Sequence, residues 1–301
     1  MSETSEAGAK KRRAPKQRDV EVPRPFLKYA GGKARLVEEL CKRIPAKFGR
    51  YFESFVGGGA LFFHLKREGK LGGGVVLSDS NERLIRSYIG IRDDVGRVIE
   101  ILADKAKDCS KEAFYRTRAS FKDEAFPPPC MAAWLIYMNK TGFNGLYRVN
   151  SKGEFNVSFG DYESPKILDE ENLRACSRAL QNVELFASDF ETVLVLGGRC
   201  GEPSEGDLIY FDAPYVPVSK TANFTGYTRD GFGEYDQRRL AKLAADLKRA
   251  GVHVLLTNSD APLVRELYPE PFWKVERVEV RGDSLNSDPT KRGKVGELII
   301  S

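Results

Sequence analysis

RYFESFVGGGALFFHLK, residues 50–66, decides the fold. Arg50–Val56 is a strand candidate, Gly57-Gly58-Gly59 makes a turn, and Ala60–Lys66 opens a helix. A second unit follows at once: Gly74–Ser78 reads as a strand ending at Asp79, and Asn81–Ile91 carries Leu84, Ile85, Tyr88 and Ile91 at helical spacing. Two strand–helix units in succession argue for a parallel sheet in an α/β fold.

Outward from this core the alternation breaks. Arg92 to Asn182 reads as a mostly helical insert, with helices at Val95–Ala106, Lys111–Phe121 and Met131–Met138 and Pro127-Pro128-Pro129 as a breaker. Inside it, Gly145–Val149 and Gly153–Val157 flank Asn150-Ser151-Lys152, which predicts a β-hairpin. The alternation resumes with strands at Val183–Ala187 and Leu208–Phe211, a helix at Asp236–Ala250, and strands at Val252–Thr257, Lys274–Arg281 and Val295–Ile300. The expected division is therefore a basic, disordered tail over 1–24, a core formed by 25–92 and 183–301, and an inserted module over 93–182.

Composition narrows the function. The 301 residues hold 48 basic and 43 acidic side chains, so the +5 charge is too small to name a partner. No run approaches the length of a spanning helix and no signal peptide is evident, so the expectation is a cytoplasmic protein with no membrane partner. Five scattered cysteines without a C-x-x-C pair, and only His64 and His253 besides, argue against a metal site.

The chemistry concentrates at strand ends. A glycine turn that opens a helix can approach a nucleotide-like ligand, but Phe62 stands where the dinucleotide fingerprint needs a small residue, which disfavours NAD. Asp79, twenty residues beyond Gly59, can accept hydrogen bonds from both hydroxyls of a ribose. Together they fit an adenosine ligand without a pyrophosphate, of which S-adenosylmethionine is the common case. Tyr210-Phe211-Asp212-Ala213-Pro214-Tyr215 then places a carboxylate, a carbonyl and an aromatic ring where methylation of an aromatic amine needs them. Asp212 and the Ala213 carbonyl could grip the two N–H hydrogens while Tyr215 stacks on the base. The other reading, a strand followed by a proline turn, would hold for an isolated D-x-P-Y.

The chain resembles the Dam-type DNA adenine-N6 methyltransferases of the D12 class. The likeness rests on Phe26–Lys33 (FLKYAGGK), Phe55–Ala60 (FVGGGA), Leu77–Asn81 (LSDSN), Tyr137–Val157 (YMNKTGFNGLYRVNSKGEFNV), Ser188–Phe190 (SDF), Asp212–Tyr215 (DAPY) and Thr221–Phe224 (TANF), in that order. It implies a Rossmann-like S-adenosylmethionine-dependent methyltransferase core with a target-recognition module inserted. It also implies catalysis by Asp212, Ala213, Pro214 and Tyr215, and a cofactor site of Tyr29, Lys33, Phe55, Gly57, Gly59, Asp79, Asp189, Phe190 and Asp212. Asp189 and Phe190 would address the cofactor's adenine, although spacing alone reads them as a helix cap and a core aromatic. The family's tetrad usually reads D-P-P-Y, so Ala213 is a departure that removes a ring constraint.

The resemblance further implies double-stranded DNA as partner and GATC as target, with the adenine rotated out of the duplex. Phe143 would wedge into the stack, Asn144 would assist near the target pair, Leu146 and Arg148 would read bases, and Lys28 would reach a guanine. Ser158 and Asp161 stand where the family often has proline and arginine. Val216–Phe232 is expected to order over substrate, and Lys291, Arg292 and Lys294 to meet phosphates. The implied enzyme is a monomer or weak dimer associated with the nucleoid. Two other readings stay open: a DNA- and cofactor-binding protein weakened in catalysis by Ala213, and a methyltransferase acting on RNA or protein.

Overall fold

The computed structural model describes residues 22–29, 33–120, 126–196, 198–218, 231–281 and 294–301. Most of the expected tail, the larger part of Val216–Phe232 including Thr221–Phe224, and the pair Lys291 and Arg292 lie outside the described residues, as does the side chain of Lys294.

Seven strands form one sheet: β1 (Tyr51–Glu53), β2 (Val75–Asp79), β3 (Val183–Ala187), β4 (Leu208–Phe211), β5 (His253–Ser259), β6 (Val275–Arg281) and β7 (Lys294–Ile300). Their order is β3-β2-β1-β4-β5-β7-β6, parallel except for β7, which runs antiparallel to both neighbours. Chain order reverses between β1 and β4, the switch point outside which α/β sheets bind ligands. Every residue of β1, β2 and β4 is buried, as parallel strands covered on both faces require.

Strand alternation divides the interior into two layers. Tyr51, Val75, Leu77, Leu208, Tyr210 and Leu255 face one core, while Phe52, Val76, Ile209, Phe211, Val254 and Leu256 face the other. The second core is closed by α9 (Glu234–Arg249) through Leu240, Ala241 and Ala244, and by α10 (Pro262–Leu267) through Val264.

The first core holds both α/β units and the insert. After α1 (Val37–Cys41) and α2 (Ala60–Arg67), α3 (Glu82–Asp93) starts where Asn81 Oδ1 accepts the Leu84 N–H. Then come α4 (Val95–Lys105), α5 (Lys111–Ser120), α6 (Pro128–Thr141) and α7 (Glu170–Leu180), with α8 (Phe190–Leu196) beyond β3. Residues Met131 to Asn139 of α6 are all buried, and Leu84, Tyr88, Trp134, Tyr137 and Leu173 belong to one continuous cluster. The segment 93–182 thus shares its core with α2 and α3.

Three expectations are corrected. Pro128 and Pro129 begin α6 instead of breaking the chain, because proline's missing N–H costs nothing in the first turn. Helices α1, α7 and α10 have no counterpart in the reading of the sequence, and α8 only the cap at Asp189. The hairpin exists only in minimal form: its arms meet at the single Val149↔Phe155 bridge, with Asn150 N–H to Glu154 O and Asn156 N–H to Arg148 O. Tyr147, Phe155 and Val157 of its arms are buried in the first core.

Candidate active site

The carboxyl edge of the sheet gathers the expected residues. Asp79 ends β2 almost fully buried; its Oδ2 accepts the Gly57 N–H at 3.1 Å and its Oδ1 the Asn81 N–H at 2.9 Å. Burial pushes its carboxyl up to about 6 against those two bonds. Gly57 and Gly59 hold φ of 46° and 67°; a Cβ on them would meet the Tyr29 ring at 3.0 Å and the Tyr88 hydroxyl at 2.8 Å, so only glycine fits this turn. Tyr29 lies over the turn and stacks on Tyr147, ring centroids 6.5 Å apart.

Phe55 and Phe190 pack 5.5 Å apart, with Phe232 against both. Asp189 precedes α8: its Oδ1 accepts the Glu191 N–H and a bond from Arg239, whose guanidinium lies 5.0 Å over the Phe190 ring and also pairs with Glu191. Ser188 N–H bonds the Asp79 carbonyl, which sets Asp189 and Phe190 beside the end of β2.

Asp212 follows β4. Lys33, only 8% exposed in a short 3-10 turn (Lys33–Arg35), reaches its Oδ1 at 3.1 Å and lies 4.3 Å over the Tyr215 ring. Thr257 donates to the same oxygen at 2.7 Å. Burial pushes the Asp212 carboxyl up; the Lys33 charge and the Thr257 hydroxyl pull it back. The Ala213 methyl is buried in the second core. The Pro214 carbonyl accepts from Gln237 at 2.7 Å, the Val216 N–H donates to Asn258 Oδ1 at 3.0 Å, and Asn258 is tied to Gln237 at 3.1 Å. Tyr215 donates its hydroxyl to Glu297 on β7. Strands β5 and β7 and the helix α9 therefore hold the tetrad.

The expected DNA-reading residues sit on a turn beyond α6. Phe143–Gly145 forms a 3-10 turn with Asn144 at φ 54°, fastened by Phe143 N–H to Ser158 O and Asn144 N–H to the Tyr162 hydroxyl. Phe143 is 50% exposed. Lys28 joins this turn: Asn139 bonds its N–H and carbonyl and also the Gly145 carbonyl. Leu146 is half-buried on the first core, and exposed Arg148 is held by Asn156. The turn joins the carboxyl edge through Tyr147, whose hydroxyl meets Asn81 Oδ1, and through Arg83, which donates to the Gly153 carbonyl at 2.7 Å.

Sequence reasoning missed Glu53, Gln237, Thr257, Asn258 and Glu297. Glu53 ends β1, 3% exposed, and burial raises its carboxyl to about 8 although Tyr51 donates to it. The readable signals were polar groups where burial forbids idle ones: Thr257-Asn258-Ser259 ends the apolar strand β5, and Gln237 shares the apolar face of α9 with Leu240 and Ala244. Among the described residues, no group of three or more His, Cys, Asp or Glu could hold a metal, and no helix is long and apolar enough to cross a membrane.

Residues 29–282 match the family described as D12 class N6 adenine-specific DNA methyltransferase. The chain is 38% identical over 284 residues to the Type II methyltransferase M1.LlaDCHI of Lactococcus lactis subsp. cremoris, covering 92% of this chain and 95% of that one. It is 36% identical over 282 residues to the DNA adenine methylase of Haemophilus influenzae, covering 92% of each. Among solved structures, the rRNA methyltransferase aviRa from Streptomyces viridochromogenes aligns at a TM-score of 0.37 and 13% identity over 88% of this chain and 83% of that one. With a family match spanning most of its length and relatives alike almost from end to end, the chain belongs to the D12 class N6 adenine-specific DNA methyltransferases.

Proposed function

We propose that this enzyme methylates adenine N6 within GATC in duplex DNA after rotating the base out of the helix, with 25–92 and 183–301 as the catalytic part and 93–182 as the target-recognition part. The observation that carries the catalytic reading is the one-sided hold on Asp212. Both groups that contact its carboxylate among the described residues, Lys33 and Thr257, meet Oδ1. Oδ2 is then the acceptor for one N6 hydrogen and the Ala213 carbonyl for the other, while Tyr215 stacks on the base. Drawing both hydrogens to acceptors pulls the nitrogen lone pair out of conjugation and makes it a nucleophile. The Asp212 carboxylate stabilises the positive charge that builds on N6 as the methyl arrives, and one N6 proton then leaves to restore the neutral amine.

The family's methyl donor is S-adenosylmethionine, whose sulfonium supplies an electrophilic methyl group. The residues fit it: Asp79 is a buried carboxylate with further lone pairs for ribose hydroxyls, and the buried Asn81 Nδ2 beside it has no hydrogen-bond partner among the described residues. Tyr29, Lys33, Phe55, Gly57, Gly59 and Asp79 would hold the cofactor, with Asp189 and Phe190 at its adenine. Phe143, Asn144, Leu146, Arg148 and Lys28 would read the DNA, supported by their gathering around one turn tied to the cofactor edge.

The test is to incubate the protein and S-adenosylmethionine with duplexes that do or do not contain GATC, digest to nucleosides, and quantify N6-methyladenine by mass spectrometry. Product on the GATC duplex alone is expected; product on both rejects the sequence assignment, and product on neither rejects the activity. With 2-aminopurine at the target adenine, fluorescence should rise on binding. An unchanged signal would count against rotation of the base.

A further inference from the structure

We propose that Thr257, at the end of β5, is a positioning residue that turns the Asp212 carboxylate toward the target amino group, with Tyr210 fixing Thr257 in turn. The inference rests on the reading of Asp212 as acceptor of an N6 hydrogen. Thr257 has one hydroxyl proton and gives it to Asp212 Oδ1 at 2.7 Å. Tyr210 Oη lies 3.2 Å from the Thr257 oxygen, so the tyrosine must donate there. The chain of donors runs Tyr210 to Thr257 to Asp212. Thr257 is 2% exposed and Tyr210 1%, which leaves water no place to substitute for either. Threonine is stiff about its first side-chain torsion, and β5 is locked to β4 with Leu256 opposite Phe211, so the sheet itself sets the direction of the hydroxyl.

Lys33 makes the other contact to Oδ1, but its ammonium is shared with the Tyr215 ring, 4.3 Å away, on a flexible four-carbon stem. Thr257 is the contact to Oδ1 that the sheet itself holds in place. With Oδ1 spent on Thr257, the carboxylate presents Oδ2 in a fixed plane, and small errors in such placement cost large factors in rate. The groups facing Asp212 are Lys33 from the 3-10 turn, Tyr210 from β4, Tyr215 from the tetrad, Glu297 from β7 and Glu53 from β1. The others are engaged elsewhere: Glu53 is paired with Tyr51, the Tyr215 hydroxyl with Glu297, and Tyr210 with Thr257 itself.

The experiment compares the wild type with Thr257→Val, Thr257→Ser and Asp212→Ala, measuring single-turnover methylation of a duplex substrate from pH 5.5 to 9, with affinities for DNA and for the non-transferable cofactor analogue sinefungin. Thr257→Val should lower the rate about 10-fold or more with both affinities within about twofold, and Thr257→Ser should return it to within about threefold. Losing a donor to the ionised carboxylate should also move the acid limb of the profile to higher pH. Because Thr257→Val orphans the Tyr210 hydroxyl, the Tyr210→Phe/Thr257→Val pair supplies a variant with no unpaired buried group; it should be as slow as Thr257→Val. A full rate in either valine variant, a serine variant as slow as valine, or an unmoved acid limb would overturn the proposal. If Asp212→Ala itself keeps the wild-type rate, the underlying reading of Asp212 fails instead.

Discussion

Ala213 is the residue at which this chain departs from the family's usual tetrad, and its neighbours in the tetrad are held by side chains from other elements. Proline would restrain the backbone, but here the restraint comes from outside: Gln237 holds the Pro214 carbonyl and Asn258 the Val216 N–H. Ala213→Pro should therefore leave the methylation rate within about threefold, whereas Gln237→Ala should lower it about 10-fold, because that bond now carries the alignment. Steady-state rates of the two variants on one duplex decide the matter. Glu53 offers a second test at this scale. Its carboxyl titrates near 8 in the folded protein against an ordinary 4.5, so folding takes up a proton between those values and this residue's contribution to stability falls as pH rises. Glutamine cannot ionise, so Glu53→Gln should gain on the wild type by about 1.4 kcal/mol per pH unit across that window, levelling above pH 8. Urea midpoints at pH 5.5, 7 and 8.5 measure it; a constant difference would show that Glu53 is not held protonated.

At the scale of elements, the turn beyond α6 carries the side chains proposed to read DNA, although almost no strand pairing supports it. Its shape comes from single bonds to Ser158, Tyr162 and Asn139 and from Gly145 at φ 64°. A Cβ there would crowd Lys28 at 2.9 Å and the Asn139 carbonyl at 3.3 Å, and would be strained at that φ in any case. Gly145→Ala should cost about 1 kcal/mol of turn stability, which is roughly a fivefold rise in the dissociation constant for target duplex. Sinefungin binding should not change; an anisotropy titration that finds DNA affinity unaltered would remove the turn from the recognition surface. Helix α8 begins as spacing alone reads it, with a cap and a core aromatic: Asp189 Oδ1 accepts the Glu191 N–H and Phe190 is buried in the second core.

At the scale of the whole molecule, the insert and the α/β units should unfold as one cooperative body, because Leu84, Tyr88, Trp134, Tyr137 and Leu173 belong to a single core. The two tryptophans report on its two halves. Trp134 lies in α6 of the insert and Trp273 beside β6 in the second core, both nearly inaccessible. In Trp134→Phe and in Trp273→Phe, the remaining tryptophan's fluorescence should follow the same urea midpoint as that variant's far-ultraviolet circular dichroism. Separate midpoints would show that 93–182 unfolds on its own. The same compactness accounts for the active site, since β1, β2, β5 and β7, the segment after β4 and the helix α9 all bring side chains to one edge of the sheet.

The amino-acid sequence by itself determined the strand–glycine–helix opening, the parallel sheet, Asp79 and the Asp212–Tyr215 tetrad, because local periodicity and short motifs are written in neighbouring residues. Its seven ordered motifs also determined the family. Only the tertiary structure decided which oxygen of Asp212 is held, that Gln237 and Asn258 take over the restraint of a missing proline, and that Lys33 is a buried partner of Asp212 and not a surface charge. Those are contacts between residues far apart in the chain. They exist because the sheet aligns its carboxyl ends, and burial there leaves each polar group to find its partner within the protein.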